Sequence, residues 1–316
     1  MAELDVATSE NNIQESIAQV YIQILYAAES VKVNENTLQV SIAQRDRGQE
    51  LLNAGSIAKS DLAQLEAQVS TDRYQLVTAQ ATLEDYKLQL KQLLELDGEN
   101  EMNIYLPALS DENVLAPLPT KRDVYISALS LRPEIEASKL NVEASELGIN
   151  IAKSSYFPTI SLSAGIGTNH TSGSDFTFGE QVKNGWNNSI GLSVSVPIFN
   201  NRQTKSAVQK AKLQYETSML SLLDEQKALY KTIESLWLDA NSAQQRYAAA
   251  NEKLKSTQIS YELISEQFNL GMKNTVELLT EKNNLLQAQQ EQLQAKYMAI
   301  LNTQLLKFYQ GDQLAL

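Results

Sequence analysis

Apolar residues recur along this chain in alternating steps of four and three, over stretches much longer than an ordinary helix. From Leu229 the positions run through Ile233, Leu236, Ala240, Ala243, Tyr247, Ala250, Leu254, Thr257, Tyr261 and Ile264 to Phe268 without a break. That is the seam of a heptad coiled coil. Nearer the N-terminus Ile13, Ile17, Val20, Ile24, Ala27, Val31, Asn34, Leu38, Ser41, Arg45, Gly48 and Leu52 keep the same steps. The far end of this seam is polar, which predicts looser packing there. Two further stretches repeat the pattern less cleanly, through Leu62, Leu65, Val69, Leu76, Ala79, Leu83, Tyr86 and Leu90, and through Leu279, Leu286, Leu293 and Ile300. The spacing predicts long helices over 10–54, 60–96, 200–268 and 275–309. At about 1.5 Å per residue they would reach roughly 60 to 105 Å, a rod rather than a globule.

The two clean seams stand in a fixed relation. An offset of 216 residues carries every seam position of the first onto one of the second, and carries Glu50 onto Glu266, Gly55 onto Gly271 and Leu62 onto Leu278. The chain is an internal duplication. Each copy reads as a helix, a short turn containing glycine, and an antiparallel return helix. Glycine just past a helix end supplies a left-handed cap, and Ser60 or Thr275 can cap the helix that follows. Between the copies, 97–122 holds Pro107, Pro117, Pro119 and acidic turn signals at Asp97–Asn100 and Asp111–Asn113. It reads as an irregular connector with one short strand at Asn103–Leu106 and a short helix from about Lys121. A further helix runs from Pro133, suited to a first helical turn, to about Ser155.

The segment 157–199 changes period. Ile160, Leu162, Ala164 and Ile166 alternate with Thr159, Ser161, Ser163, Gly165 and Gly167; Ile190, Leu192, Val194, Val196 and Ile198 alternate with Ser189, Gly191, Ser193, Ser195 and Pro197. These are two strands, 158–167 and 189–198, with one apolar face and one small, polar face. Their length and pattern fit transmembrane β-strands, apolar toward lipid and polar toward a lumen. Half of a soluble antiparallel sheet fits the alternation too, but nothing else in the chain supplies a sheet to join. Tyr156, Phe157, Trp186 and Phe199 sit where an aromatic girdle would lie, and the intervening loop, Thr168–Gly185 with His170, faces solvent.

Composition removes other classes. With 12 Gly and 6 Pro in 316 residues, turns are few, and half of the glycines crowd into 165–191. No Cys and one His leave no disulfide framework, thiolate nucleophile or metal cluster. The chain carries 38 acidic and 26 basic residues, a net charge of −12, which argues against nucleic acid as a partner. No phosphate-binding glycine loop or catalytic triad is present, so an enzyme is not expected, and neither is a cofactor. The surplus carboxylates suit a lumen that disfavours anions, or equally a set of solvated helix faces.

At this point the sequence resembles the TolC-like outer-membrane efflux proteins. The resemblance rests on the duplicated hairpin with its glycine turn, on Leu131-Arg132-Pro133-Glu134-Ile135-Glu136-Ala137, on the strand opening Tyr156-Phe157-Pro158-Thr159-Ile160-Ser161-Leu162, and on the strand exit Val194-Ser195-Val196-Pro197-Ile198-Phe199-Asn200. It spans about Ile13 to Gln310. It implies a mainly α fold of long antiparallel coiled-coil hairpins in two repeats, with one β-hairpin of a transmembrane barrel, forming an α-helical barrel when trimeric. The segments are then 1–96, the first-repeat hairpin; 97–132, a connector; 133–156, a helix; 157–199, the membrane hairpin; 200–310, the second-repeat hairpin; and 311–316, a tail. The family carries a β-hairpin in each repeat, whereas here the first repeat opens inside its long helix, with no signal peptide in Met1–Asp5. A truncated product is expected, itself compatible with solubility. Three such chains offer six strands where the family's barrel has twelve.

The resemblance also implies a passive conduit of a tripartite efflux or type I secretion system in the outer membrane and periplasm of a Gram-negative bacterium. Its partners would be two further copies, a periplasmic adaptor, an inner-membrane transporter and outer-membrane lipid. The gate falls at the hairpin tips, on Asp61 in the first and on Phe268, Lys273, Glu277 and Thr280 around the second. Asp61 and Lys273 could pair and hold the tip closed, and Glu277 repeated around a threefold axis would form a cation-binding ring. The family often has Tyr and a second Asp where this chain has Phe268 and Thr280, which predicts a weaker latch. Gly55 and Gly271 would let the adaptor approach closely, or serve only to stop helices; the charges could equally be ordinary exposed turn residues. A soluble coiled-coil scaffold or adaptor protein is the alternative. It explains the heptads but not the alternating strands. The cargo is left open.

Overall fold

In the computed structural model the described residues are 1–96, 104–105, 114–173 and 175–314. They form α1 (Ala2–Asn53), α2 (Lys59–Leu93), α3 (Lys121–Leu131), α4 (Pro133–Ser154), β1 (Thr159–Gly167), α5 (Phe178–Asn184), β2 (Asn187–Ser195), α6 (Gln203–Asn269) and α7 (Thr275–Gln310). Of the strand expected at Asn103–Leu106, Ile104 and Tyr105 are described and are not in a strand, while its two ends and both acidic turns of the connector lie outside the described residues. The chain divides into two compact units, residues 1–136 with 226–316, and residues 137–225.

The first unit contains both hairpins. The heptad seam of α6 turns inward as its spacing requires: Leu229, Ile233, Ala240, Ala243, Tyr247, Ala250 and Phe268 are all buried. In α1 the buried set is centred on Ile22, Ile24, Leu25, Ala27 and Ala28, continuing through Asn34, Leu38 and Ser41 to Gly48. The polar end of this seam is therefore not loose. Ser41 and Gly48 are as enclosed as the leucines, and a Cβ on Gly48 would lie 2.4 Å from Leu65 Cδ1, so glycine permits the close crossing of α1 and α2.

Helix α7 departs most from the single seam expected of it. Beyond Leu286, Leu293 and Ile300 it buries Ala295, Tyr297, Ala299, Leu301, Asn302, Thr303, Leu305, Leu306 and Tyr309. One cluster joins Ile22 and Leu25 of α1 to Ala243 and Tyr247 of α6 and to Leu293, Tyr297 and Ile300 of α7. A second joins Val124 and Ala128 of α3 and Ile135 of α4 to Leu229, Ile233 and Ala240 of α6 and to Leu306 and Tyr309 of α7. A helix packed from several sides buries more than one stripe, and each enclosed leucine or isoleucine is worth about 1.5 to 3 kcal/mol. The connector is pinned by polar contacts: Gln244 Nε2 donates to the carbonyls of Val114 (2.9 Å) and Ala116 (2.8 Å), and Trp237 Nε1 to that of Pro119 (2.9 Å).

Two cap assignments need correction. Helix α7 is capped by Asn274, whose Oδ1 accepts from Glu277 N at 2.9 Å, and Thr275 lies inside the helix with its hydroxyl buried. In α2 the first helical residue is Lys59, so Ser60 is also interior.

The second unit contains the remainder of α4, the β-hairpin and the start of α6. Ser145 and Ser218 hydroxyls meet at 2.8 Å. Strands β1 and β2 pair antiparallel with Ile160 opposite Val194, Leu162 opposite Leu192 and Ala164 opposite Ile190, while Ser161, Ser163 and Gly165 face Ser193, Gly191 and Ser189. The two faces expected from the alternation are thus kept through the register. The ladder ends at Thr159 and Ser195, so Val196, expected within the strand, lies beyond it. Pro158 and Pro197 flank that end, and neither has an N–H to extend the pairing. The intervening segment, expected as a plain loop, contains α5. Its start is set by Thr177 N and Oγ1, which both donate to Glu180 Oε2 at 2.9 and 2.8 Å.

Candidate functional site

The hairpin tips repeat each other bond for bond. At the first, Gly55 N donates to Leu52 O (2.9 Å) and Ser56 N to Leu51 O (2.8 Å); at the second, Gly271 N donates to Phe268 O (2.9 Å) and Met272 N to Gln267 O (2.8 Å). Both glycines have φ of +73°. This is the paired closure that ends a helix on a left-handed residue, and it explains why glycine stands at both positions. Nothing lies within 4 Å of where a Cβ would project from either, so their surroundings are open.

The next residues start the return helices in the same way. Asp61 Oδ2 accepts from Ala58 N at 3.0 Å, and Glu277 Oε2 accepts from Asn274 N at 3.2 Å. Asp61 and Glu277 are equivalent under the 216-residue offset. Each closes the free amides of a helix start, where a carboxylate also meets the positive end of the helix dipole.

The expected partnership of Asp61 with Lys273 is not made within the chain. Lys273 Nζ lies 2.5 Å from Glu277 Oε1, one turn along α7. That hydrogen bond, with the Asn274 amide second, holds the Glu277 carboxyl below the ordinary range. The geometry favours this outcome because Lys273 immediately precedes the Asn274 cap, so it reaches a carboxylate in the first turn of α7 without any tertiary movement. Asp61 and Lys273 nevertheless line one cleft of about 350 Å³ between the tips, together with Ser56, Ile57, Phe268 and Glu277. Phe268 is 3% exposed, packed inward. Thr280 is exposed, and its hydroxyl donates to Val276 O at 2.8 Å.

Behind the tips lies a polar group absent from the expectations above. Lys282 Nζ donates to Asp72 Oδ2 and to Ser41 Oγ, Ser41 Oγ donates to Asp72 Oδ2, and Gln68 Nε2 donates to Asp72 Oδ1 at 2.9 Å. Asp72 is 1%, Ser41 2% and Lys282 3% exposed. Burial lowers the Lys282 pKa from its ordinary value, against the opposing pull of Asp72. The sequence did carry a signal. Asp72 fills the step between Val69 and Leu76, Lys282 the step between Leu279 and Leu286, and Ser41 is itself a seam residue.

The other candidate surface is the ribbon. Every residue of β1 and β2 is exposed, including Ile160, Leu162, Ile166, Ile190, Leu192 and Val194 on the apolar side. No helix among the described residues is long and apolar enough to cross a membrane. Among the described residues no cluster of His, Cys, Asp or Glu could hold a metal ion.

Helical hairpins duplicated down to their tip hydrogen bonds, with an apolar-faced ribbon between them in the sequence, are the organisation of an outer-membrane channel subunit. Residues 124–311 match the outer membrane efflux protein family, and the chain belongs to it. That family comprises outer-membrane channel proteins of Gram-negative bacteria, not enzymes. The chain is 24% identical over 294 residues to the outer membrane efflux protein BepC of Brucella suis, covering 92% of this chain and 61% of that protein. It is 24% identical over 304 residues to the outer membrane protein TolC of Escherichia coli K12, covering 93% of this chain and 60% of that protein. A crystal structure of CusC matches the fold with a TM-score of 0.82 at 19% identity, over 98% of this chain and 71% of that one. The chain spans about three fifths of the length of the curated relatives it matches.

Proposed function

We propose that this chain belongs to a passive outer-membrane conduit, built from three copies, that serves a tripartite efflux or type I secretion system and is gated at its periplasmic hairpin tips. The observation that carries this reading is the ribbon. Two nine-residue strands whose apolar face is wholly exposed have no further partner among the described residues, and a barrel wall in lipid is the environment that accepts such a face. The helical hairpins then form the periplasmic tunnel. Asp61, Lys273 and Glu277 ring its tip, with Phe268 and Thr280 adjacent. A periplasmic adaptor docks around Gly55 and Gly271, and an inner-membrane transporter supplies the cargo.

Lysine–glutamate pairing within the second tip does not oppose this. An exposed pair of this kind contributes little, so Lys273 can exchange Glu277 for Asp61 of an adjoining hairpin at little cost. The test is insertion and conductance of the whole protein in planar bilayers. Ile190→Arg should prevent insertion, since arginine facing mid-bilayer lipid costs about 2 to 4 kcal/mol. Ser189→Arg, on the opposite face, should insert and alter ion selectivity. Equal insertion of both variants overturns the lipid-facing assignment, and an elongated monomer in detergent overturns the trimer.

A further inference from the structure

Ser41, Asp72 and Lys282 come from three different helices and meet where three coiled-coil seams converge. Around them the seam is apolar, with Leu38, Leu65, Val69, Leu278 and Leu286 all buried. An apolar layer would be the simplest filling of this position. Instead the chain buries a full ion pair, satisfying both oxygens of Asp72 through Lys282, Ser41 and Gln68. Such a pair repays little more than the cost of stripping water from two charges, and replacing it with apolar residues of similar volume is often neutral or stabilising. A layer built this way holds its helices in one register without binding them tightly.

A second feature points the same way. Beside Lys282 is a cavity of about 80 Å³ lined by Asn36, Thr37, Tyr261 and Gln289 among others. It exceeds the room one water needs, and its walls offer polar partners. Water can therefore reach the ammonium as soon as the helices begin to part, which lowers the cost of exposing the charges.

We propose that Ser41, Asp72 and Lys282 form a polar clasp, set about two turns behind the start of α7, that holds α2 of the first hairpin to α7 of the second while the conduit is closed and releases them when it opens. This rests on the gated-conduit reading above. The clasp acts by separation of the return helices, with its charges passing from each other to water. It involves no bond chemistry.

The test uses the natural absence of cysteine. Single cysteines placed at the exposed positions Glu66 on α2 and Val276 on α7 carry spin labels, and the distance between them is measured in the whole protein, diluted with unlabelled chains. The parent should give one narrow distribution. Asp72→Asn and Lys282→Met should each raise the population of separated helices by about tenfold or more, because each strands a buried charge or donor. Ser41→Ala should give a smaller rise. The double variant Asp72→Leu/Lys282→Met should return to a narrow, closed distribution and melt at a higher temperature than the parent. It also serves if a single variant fails to fold. Unchanged distances in the single variants overturn the clasp, as does a double variant as open as either single. Bilayer conductance of the same variants separates the two readings. Distances that lengthen without any change in conductance leave the clasp standing and overturn the gate.

Discussion

The guanidinium of Arg132 stacks on the ring of Tyr309, 3.8 Å from its centre. Its Nη2 donates to Glu15 at 2.5 Å, and Nε lies 3.5 Å from Glu134. One side chain thereby ties the start of α1, the junction of α3 with α4, and the end of α7. The motif that begins at Leu131 owes its arginine to this junction. A planar, delocalised cation can stack and donate in several directions at once, which an ammonium cannot.

Arg132→Met should destabilise the folded chain by roughly 3 kcal/mol in urea unfolding, since it leaves Glu15 without its partner in a largely enclosed site. Arg132→Lys should recover only part of that loss, because it keeps the charge but not the stacked fork. A lysine variant as stable as the parent would show that charge alone matters here.

At the second tip the prediction concerns acid. The Glu277 carboxyl is held below its ordinary value of 4.5 by Lys273 and then by the Asn274 amide. Its contribution is present above 4.5 and is lost as pH falls through the depressed value in the folded chain. Protection of the Asn274 and Glu277 amides, relative to their intrinsic exchange at the same pH, should therefore fall below that range, with the rest of α7 still protected. Glu277→Gln should remove the pH dependence of this local fraying.

The tip glycines allow backbone effects to be separated from docking. Gly55→Ala and Gly271→Ala should each cost about 1 to 2 kcal/mol, the penalty of a left-handed conformation for a residue with a Cβ, as no neighbour is there to clash. Asparagine should cost less at both sites. If the adaptor approaches these positions, Gly271→Asn should weaken its association while leaving the melting temperature nearly unchanged. A loss of association that merely follows stability would assign the glycine to helix termination alone.

Gly48 invites the opposite experiment, because space rather than conformation is limiting. Gly48→Ala places a methyl 2.4 Å from Leu65 Cδ1 and should cost about 1 to 3 kcal/mol by overpacking. Leu65→Val in the same chain should restore part of that stability. Additive losses in the thermal midpoint would mean that the two side chains do not share the constraint.

Much of this fold is written in periodicity. Leu229 to Phe268 reads as a seam because each position faces a partner helix, and Gly55 and Gly271 mark the tips because φ there is positive. The alternation from Ile160 to Val194 fixes two faces for the same kind of reason. What escaped is what periodicity treats as an interruption. Asp72 and Lys282 look like gaps in an apolar pattern, and only the convergence of α1, α2 and α7 shows that the gaps meet and fill one another. Val196 was misplaced because alternation continues through Pro197 whereas hydrogen bonding cannot. The Lys273–Glu277 pair escapes periodicity as well, since Lys273 stands in the turn just before α7.

The duplication of the tips is complete in backbone and incomplete in charge. The closing bonds at Gly55 and Gly271 superimpose residue for residue, yet Lys273 corresponds to Ile57 and Asn274 to Ala58. In the proposed threefold assembly the mouth of the conduit would have six tips of one shape, three with Lys273 just before the helix cap and three with Lys59 just after it. A partner that grips the main chain would find six like footholds there, whereas one that reads the position of the charge would find two sets of three, and the two kinds of contact impose different stoichiometries on whatever binds.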